Sequence, residues 1–437
     1  MRIAILSDMH FCSGLGTERE NDSYEAFAEA IEKTSDCDLI LLGGDLFDTK
    51  NPTNEAFVKA MEIMVSPLLL QNDIKLVQGL GKDISKISEI ALMGTPIVAI
   101  HGNHERRAKG LLNPVEALEK AGFLTYLHCN GVVFEKEGER VAIHGISGVP
   151  DQYSESVLGN WDPKPEHGTF NIFLMHQSVK EFMYAPNTIE LAKIPKGFDV
   201  YINGHIHEAE IGEHDGKPFL ITGSLVPTQL KAESEKPKGF WIIDTSVRDI
   251  TRDVKPRPAK TVEKGDVTIH WIELDNQRKM YYREYKKPNV KDVEIELQKI
   301  VSESDGKKPL IRVSLKGEVS DTFVSELETK FGDKALLSFK KEKTEKDLPT
   351  KTLEEHKLSV EEMGRKILLS NLKNAGLSEK KFEDIFELLV EGKTDDVMVN
   401  LLSMPTVKKT EKEEKHSKKL QKKHQQSKLF GKVGKLN

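Results

Sequence analysis

Ile97-Val98-Ala99-Ile100-His101-Gly102-Asn103-His104-Glu105 runs from an apolar stretch into a tight polar turn, and the whole chain is read outward from it. Four consecutive apolar residues suit a strand buried on both faces. The turn after it delivers an amide and an imidazole side by side. Asn103 offers a neutral oxygen to a metal, and His104 a nitrogen that can carry a proton at neutral pH, the pairing that phosphate-ester hydrolysis needs. Taken alone, a Gly-Asn-His turn is more often a turn with a surface histidine.

The same arrangement recurs along the chain. Residues 2–7 read as a short buried strand running into Asp8-Met9-His10, where an Asp and a His two apart can chelate one ion, although a loop aspartate beside a bystander histidine gives the same letters. Leu39-Ile40-Leu41-Leu42 ends in Gly43-Gly44-Asp45-Leu46-Phe47-Asp48. Asn171-Ile172-Phe173-Leu174-Met175 delivers His176, and Val200-Tyr201-Ile202-Asn203 delivers Gly204-His205-Ile206-His207. Five strands thus end in a metal-type residue, and ligands in layered α/β folds collect beyond the carboxyl ends of strands. His144, inside the apolar run 141–146, reads instead as a core histidine.

Asp8, His10, Asp45, Asn103, His104, His176, His205 and His207 together mix hard oxygen and imidazole donors without a thiolate, which selects against structural zinc. Manganese suits such a set, with iron or zinc as competitors. One shared carboxylate can bridge two ions about 3.5 to 4 Å apart, a pair that activates a water and clamps a phosphate.

Helical spacing appears over 24–33, with Phe27, Ala30 and Ile31, and over 52–65, with Phe57, Met61, Met64 and Val65. A polar segment over 71–94 reads as containing a loop. Asn113-Pro114 opens a helix whose face is Val115, Leu118 and Ala121, and Gly122 closes it. Residues 136–139 form the turn of a hairpin, 217–226 and 239–244 are further strands, and 252–264 is a linker rich in proline and charge. A small α+β unit follows, built from a strand over 267–274, a helix over 290–301 and a strand over 310–315.

Beyond a charged connector at 340–351, Ser359 and Glu362 form a capping box for a helix bearing Val360, Met363, Ile367, Leu368 and Leu372. A partner helix from Ser378 carries Phe382, Ile385, Phe386 and Leu389. Two short amphipathic helices cannot bury these faces alone, so they dock either on their own protein or on a partner. The end of the chain is a charge run, with eleven lysines against three glutamates from Lys408 onward, or +8 in a chain of net charge −6. A disordered, solvated tail is the default reading and contact with DNA the sharper one.

A chain of 437 residues predicts two or three domains. Cys12, Cys37 and Cys129 lack CxxC spacing, which fits a reducing compartment, and no stretch reaches the length of a membrane span. The expectation is a soluble, cytoplasmic protein.

The ordered blocks DxH, GD, GNH, H and GHxH resemble the calcineurin-like metallophosphoesterase superfamily, and all five are present. The resemblance implies an α/β fold, a β-sandwich flanked by helices. It also implies that Asp8, His10 and His207 hold one ion, that Asn103, His176 and His205 hold the other, that Asp45 bridges them, and that His104 assists as acid. Gly44-Asp45-Leu46-Phe47, Leu174-Met175-His176-Gln177 and Tyr24-Glu25-Ala26-Phe27 make the chain similar to the SbcD and Mre-eleven family of double-strand-break repair nucleases. On that likeness residues 1–250 are the nuclease domain, 265–340 an α+β capping domain, 358–403 a helical hairpin that docks an ATPase, and 407–437 a disordered basic tail. Two positions depart from the pattern: Asp48 stands where many relatives carry histidine, and Glu105 replaces the commoner aspartate.

The function implied is that of a DNA exonuclease and endonuclease with two Mn2+ ions, acting on DNA ends beside a Rad-fifty or SbcC coiled-coil ATPase. The resemblance also implies a homodimer through the helices at 52–65 and 113–121. A phosphatase or cyclic-nucleotide phosphodiesterase of the same superfamily is the rival, and a scaffold that binds DNA ends without cutting is the alternative from another class. Gln426, Leu429 and Phe430 resemble a truncated sliding-clamp-binding peptide.

Overall fold

The computed structural model describes residues 1–108, 110–245, 260–264, 267–286, 289–304, 306–316 and 320–342. The helical hairpin expected at 358–403, the basic tail at 407–437 and the clamp-like peptide lie outside the described residues. Among the described residues no helix is long and apolar enough to cross a membrane.

The chain opens with β1 (Arg2–Leu6), α1 (Asp22–Glu32), β2 (Leu39–Leu42), α2 (Asn54–Leu68), β3 (Lys75–Leu80), β4 (Ile97–Ala99), α3 (Pro114–Lys120) and β5 (Thr125–Tyr126). It continues through β6 (Asn130–Lys136), β7 (Glu139–Ile146), α4 (Asp151–Trp161), β8 (Phe170–Met175), β9 (Val200–Asn203), β10 (Glu210–His214), β11 (Lys217–Ile221) and β12 (Gly239–Asp244). The last described elements are β13 (Lys260–Lys264), β14 (Val267–Glu273), β15 (Met280–Lys286), α5 (Val290–Ser302), β16 (Leu310–Lys316), α6 (Asp321–Phe331) and β17 (Leu336–Glu342).

Two seven-stranded sheets stack face to face, ordered β13-β14-β12-β1-β2-β4-β5 and β10-β11-β9-β8-β7-β6-β3. The period of two along each strand explains the layering. Ile3, Ile5, Leu39, Leu41, Val98 and Ile100 point between the sheets and meet Val132, Ile143, Ile172, Leu174 and Ile202. Their neighbours Ala4, Leu6, Ile40, Leu42, Ile97 and Ala99 point outward onto Phe27 and Ile31 of α1, Ala60 and Met64 of α2, and Leu118 of α3. On the far side, Phe173, Met175 and Tyr201 pack against Leu158 of α4. Strands buried on both faces therefore read as continuous apolar runs, and each large side chain so buried contributes about 1.5–3 kcal/mol. The result is the α/β sandwich flanked by helices that the sequence predicts.

Local chemistry starts the helices where expected. The Thr53 hydroxyl accepts from Ala56 N at the head of α2, and Asn113 Oδ1 accepts from Glu116 N, with Pro114 next to it, at the head of α3.

The segment 71–94 contains loop, as expected, together with β3, which pairs antiparallel with β6 at the edge of the second sheet; its Lys75-Leu76-Val77-Gln78 alternation is a half-exposed edge pattern that polarity obscures. One expectation needs correction. The strand expected at 267–274 inside the small unit belongs to the first sheet, where β14 pairs β12 with Trp241 opposite Trp271 and Ile243 opposite Ile269. Alternation marks a strand and says nothing about which sheet receives it. The small unit proper begins at β15, a three-stranded parallel sheet β15-β16-β17 whose helices α5 and α6 pack on one face through Val293, Leu297, Phe323 and Leu327.

Candidate metal centre

All five expected blocks meet at one edge of the stacked sheets. β1, β2, β4, β8 and β9 run parallel to a neighbour within their sheets and end on the same side, so the loops that follow converge. Three of the five exits turn tightly: Asp8, His10, Asp45 and His205 adopt left-handed backbone angles, with φ of +54°, +51°, +49° and +74°. Such conformations cost roughly 1–3 kcal/mol each in non-glycine residues and cluster at functional sites.

The donors fall into overlapping groups. Asp8, His10 and His207 converge in one, Asp45, His176 and His205 in another, and His10, Asp45 and His104 in a third. In the first, His10 Nε2 lies 3.1 Å from His207 Nε2, and Asp8 Oδ1 lies 3.8 and 3.5 Å from those nitrogens. In the second, Asn103 Oδ1 lies 3.2 Å from His176 Nε2 and 3.1 Å from His205 Nδ1. Asp45 Oδ2 stands between them, 4.0 Å from His10 Nε2 and 3.3 Å from His176 Nε2.

This set fits a pair of divalent cations. Asp8 Oδ1 is buried with no hydrogen-bond partner, an orphan oxygen aimed at two imidazole nitrogens. Burial works against a charge on His176, yet Asp45 and Asp8 draw it up to about 9, so positive charge is favoured at the centre. Burial would raise the Asp8 carboxyl, but the nearby His207 and His176 imidazoles hold it below the ordinary carboxylate range. His205, lowered to about 4 by burial and by the His176 charge, is a neutral donor.

Each of the four imidazoles is also held by its outer nitrogen. His10 Nδ1 lies 2.9 Å from Asp48 Oδ1, His176 Nδ1 2.7 Å from the Gly43 carbonyl, His205 Nε2 3.0 Å from Ser178 Oγ, and His207 Nδ1 2.5 Å from Thr228 Oγ1. Ligating histidines ordinarily donate this second N–H, which fixes ring orientation and tautomer.

His104 sits at the exposed rim. Its Nδ1 is 3.2 Å from Asp48 Oδ1, and that hydrogen bond leads the causes that raise it to about 9. Asp48, the departure noted in the sequence, thus touches both His10 and His104. Glu105 is fully buried and accepts from Phe47 N and Gly102 N, both at 2.9 Å, tying the Asp45 loop to the Asn103 loop. His144 stands within β7, away from these groups, its ring against Phe198. Sequence reasoning did not find Ser178 and Thr228: a lone hydroxyl has no motif, and the only signal is that each follows a ligand-bearing strand or its neighbour.

Residues 1–209 match the family model described as calcineurin-like phosphoesterase. The chain is 29% identical over 267 residues to the DNA double-strand break repair protein Mre11 of Methanopyrus kandleri, covering 56% of this chain and 54% of that one. It is 26% identical over 314 residues to the protein of the same name from Saccharolobus solfataricus, covering 69% and 71%. With that of Methanococcus maripaludis it shares 29% over 329 residues, covering 71% and 76%. The match therefore spans about half the length of the Methanopyrus relative and about three quarters of the Methanococcus one.

Proposed function

We propose that this chain, whose residues 1–209 match calcineurin-like phosphoesterases and which is similar to Mre11 repair proteins, is a metal-dependent nuclease that hydrolyses phosphodiesters at DNA double-strand-break ends. The observation that carries the reading is the shared position of Asp45 between two groups of donors. In this reading Asp8, His10 and His207 hold one ion, Asn103, His176 and His205 hold the other, and Asp45 contributes to both. The mix of oxygen and imidazole donors without a thiolate supports manganese. A bound divalent pair supplies Lewis-acid charge and an activated water.

The chain's own residues do the rest. Asn103 and His104 are exposed, so a phosphate can approach them from solvent. Asp48 holds His104 protonated and pointed at the rim. From there the imidazolium can hand its proton to the departing sugar oxygen. The choice of DNA as substrate rests on the likeness to DNA double-strand break repair proteins and on the chain's length beyond the phosphoesterase domain.

Two assemblies belong to the same proposal. An apolar groove between α2 and α3, lined by Phe57, Val58, Met61 and Leu118, with Val58 48% exposed, supports a homodimer through these helices. The partnership with a Rad50-type ATPase through 358–403 rests on the sequence pattern alone.

The test gives the full chain Mn2+ and offers labelled duplex ends beside para-nitrophenyl and cyclic-nucleotide phosphodiesters. DNA cleavage that is lost in Asn103→Ala and falls about 10²–10⁴-fold in His104→Ala is expected, with metal retained in the second variant. Hydrolysis of the small esters alone would replace the nuclease by a phosphodiesterase, and DNA binding without turnover by a scaffold.

A further inference from the structure

The two histidines of the Gly204-His205-Ile206-His207 turn belong to different donor groups, and each leans on a different hydroxyl. We infer that Ser178 and Thr228 are positioning residues, one for each ion, so that each hydroxyl governs the affinity of one cation site and leaves the other unchanged. The inference rests on the two-ion reading above.

Ser178 is almost fully buried, and its neighbours fix its proton. Asp151 Oδ2, 3.1 Å away at the first turn of α4, is a carboxylate oxygen and accepts only, so the Ser178 hydroxyl donates to it. The Ser178 oxygen must then accept from His205 Nε2–H at 3.0 Å. That tautomer leaves the His205 Nδ1 lone pair facing Asn103 Oδ1 and the second ion site. A chain of three residues, Asp151 to Ser178 to His205, thus sets one ligand.

Thr228 does the equivalent for His207. Its Oγ1 lies 2.5 Å from Nδ1, while Nε2 faces His10 Nε2 and Asp8 Oδ1. With Nε2 as the donor to the cation, Nδ1 carries the hydrogen and Thr228 accepts it. The main chain of His207 is fixed separately, because its carbonyl accepts from Ser224 N at 3.1 Å and from the buried Lys238 Nζ at 2.9 Å. Removing the Thr228 hydroxyl therefore frees the ring and leaves the loop in place.

Mn2+ titration of the full chain by calorimetry, with electron paramagnetic resonance as the second readout, tests this. The parent chain should bind two ions; if it binds none or one, the two-ion reading itself fails. In the Asn103→Ala background, which leaves the His207 site, Thr228→Val should weaken Mn2+ about 10–100-fold and Ser178→Ala should have no effect. In the His10→Ala background the two results should exchange. Thr228→Ser and Ser178→Thr keep the hydroxyl and should restore affinity. Should Ser178→Ala fail to fold, Asp151→Ala removes the acceptor that orients the hydroxyl and replaces it in the scheme. The inference is overturned if both sites weaken together with either change, or if neither moves.

Discussion

His144 shows what one side chain does when it resembles a ligand and is not one. It lies in β7 with 4% exposure, its ring edge-on to Phe198 and its Nε2 without a hydrogen-bond partner. Burial lowers it to about 4, whereas an unfolded chain leaves it near 6.5. Between those values the unfolded state binds the extra proton, so stability is level above about pH 6.5 and falls as pH drops toward 4. The loss totals roughly 3 kcal/mol once both limits are passed. In His144→Phe this component should vanish. Urea unfolding of both proteins at pH 7.5 and pH 5 checks it, and an equal loss in the two would remove His144 as the cause. The sequence already separates this histidine from the ligands, because its apolar run continues past it. The ligand runs stop.

At the scale of the element, what matters is how closely strand exits can approach one another. A Cβ built on Gly102 would fall 2.1 Å from Asp45 Oδ1 and 2.6 Å from Asp45 N, so the two loops touch backbone to backbone only because the residue is glycine. Gly102→Ala should displace Asp45 and, since both donor groups use it, abolish binding of both ions, with a loss of about 1–3 kcal/mol in stability. Gly159, in the exposed face of α4, has nothing within 4 Å of such a Cβ and an ordinary helical backbone. Gly159→Ala should therefore raise stability by about 0.5–1 kcal/mol and leave Mn2+ binding unchanged. Calorimetry on both variants separates a packing constraint at the site from a propensity effect away from it. The ligands at strand exits were legible because strand, glycine and donor are adjacent in sequence. Their supports were not: Ser178 and Thr228 are common residues whose meaning depends on a ring brought to them by folding, and Glu105 shows its role only once Phe47 N and Gly102 N are in place.

Across the whole described unit, the sandwich was visible as a pattern, but of the three-stranded sheet only β16 and its helix α5 were; β15, β17 and the boundary with the sandwich were not. β14 alternates as any strand does, and it joined the first sheet because β12 offered a long antiparallel partner. The join just after it depends on Arg278, which no periodicity marks. Its Nε and Nη2 lie 2.7 and 3.0 Å from the two oxygens of Asp22 at the head of α1, and it also donates to the Glu18 and Lys308 carbonyls. Both side chains are nearly buried, so this bidentate pair pins the turn before β15 to the sandwich. Arg278→Met would leave the Asp22 carboxylate buried without its main partner, a change that typically costs about 3–5 kcal/mol. Arg19 at 3.7 Å and Lys307 at 3.9 Å from that carboxylate should keep the loss toward the lower end. Hydrogen exchange should show faster opening over residues 280–342, with the sandwich strands still protected. Adding Asp22→Leu to Arg278→Met removes the stranded charge and should recover most of the stability, because an apolar pair can replace a buried ion pair. If the single variant exchanges like the parent chain, the pin is not what seats the three-stranded unit; if the double variant is no better than the single, the loss comes from the carbonyl contacts of Arg278 and not from the charge on Asp22.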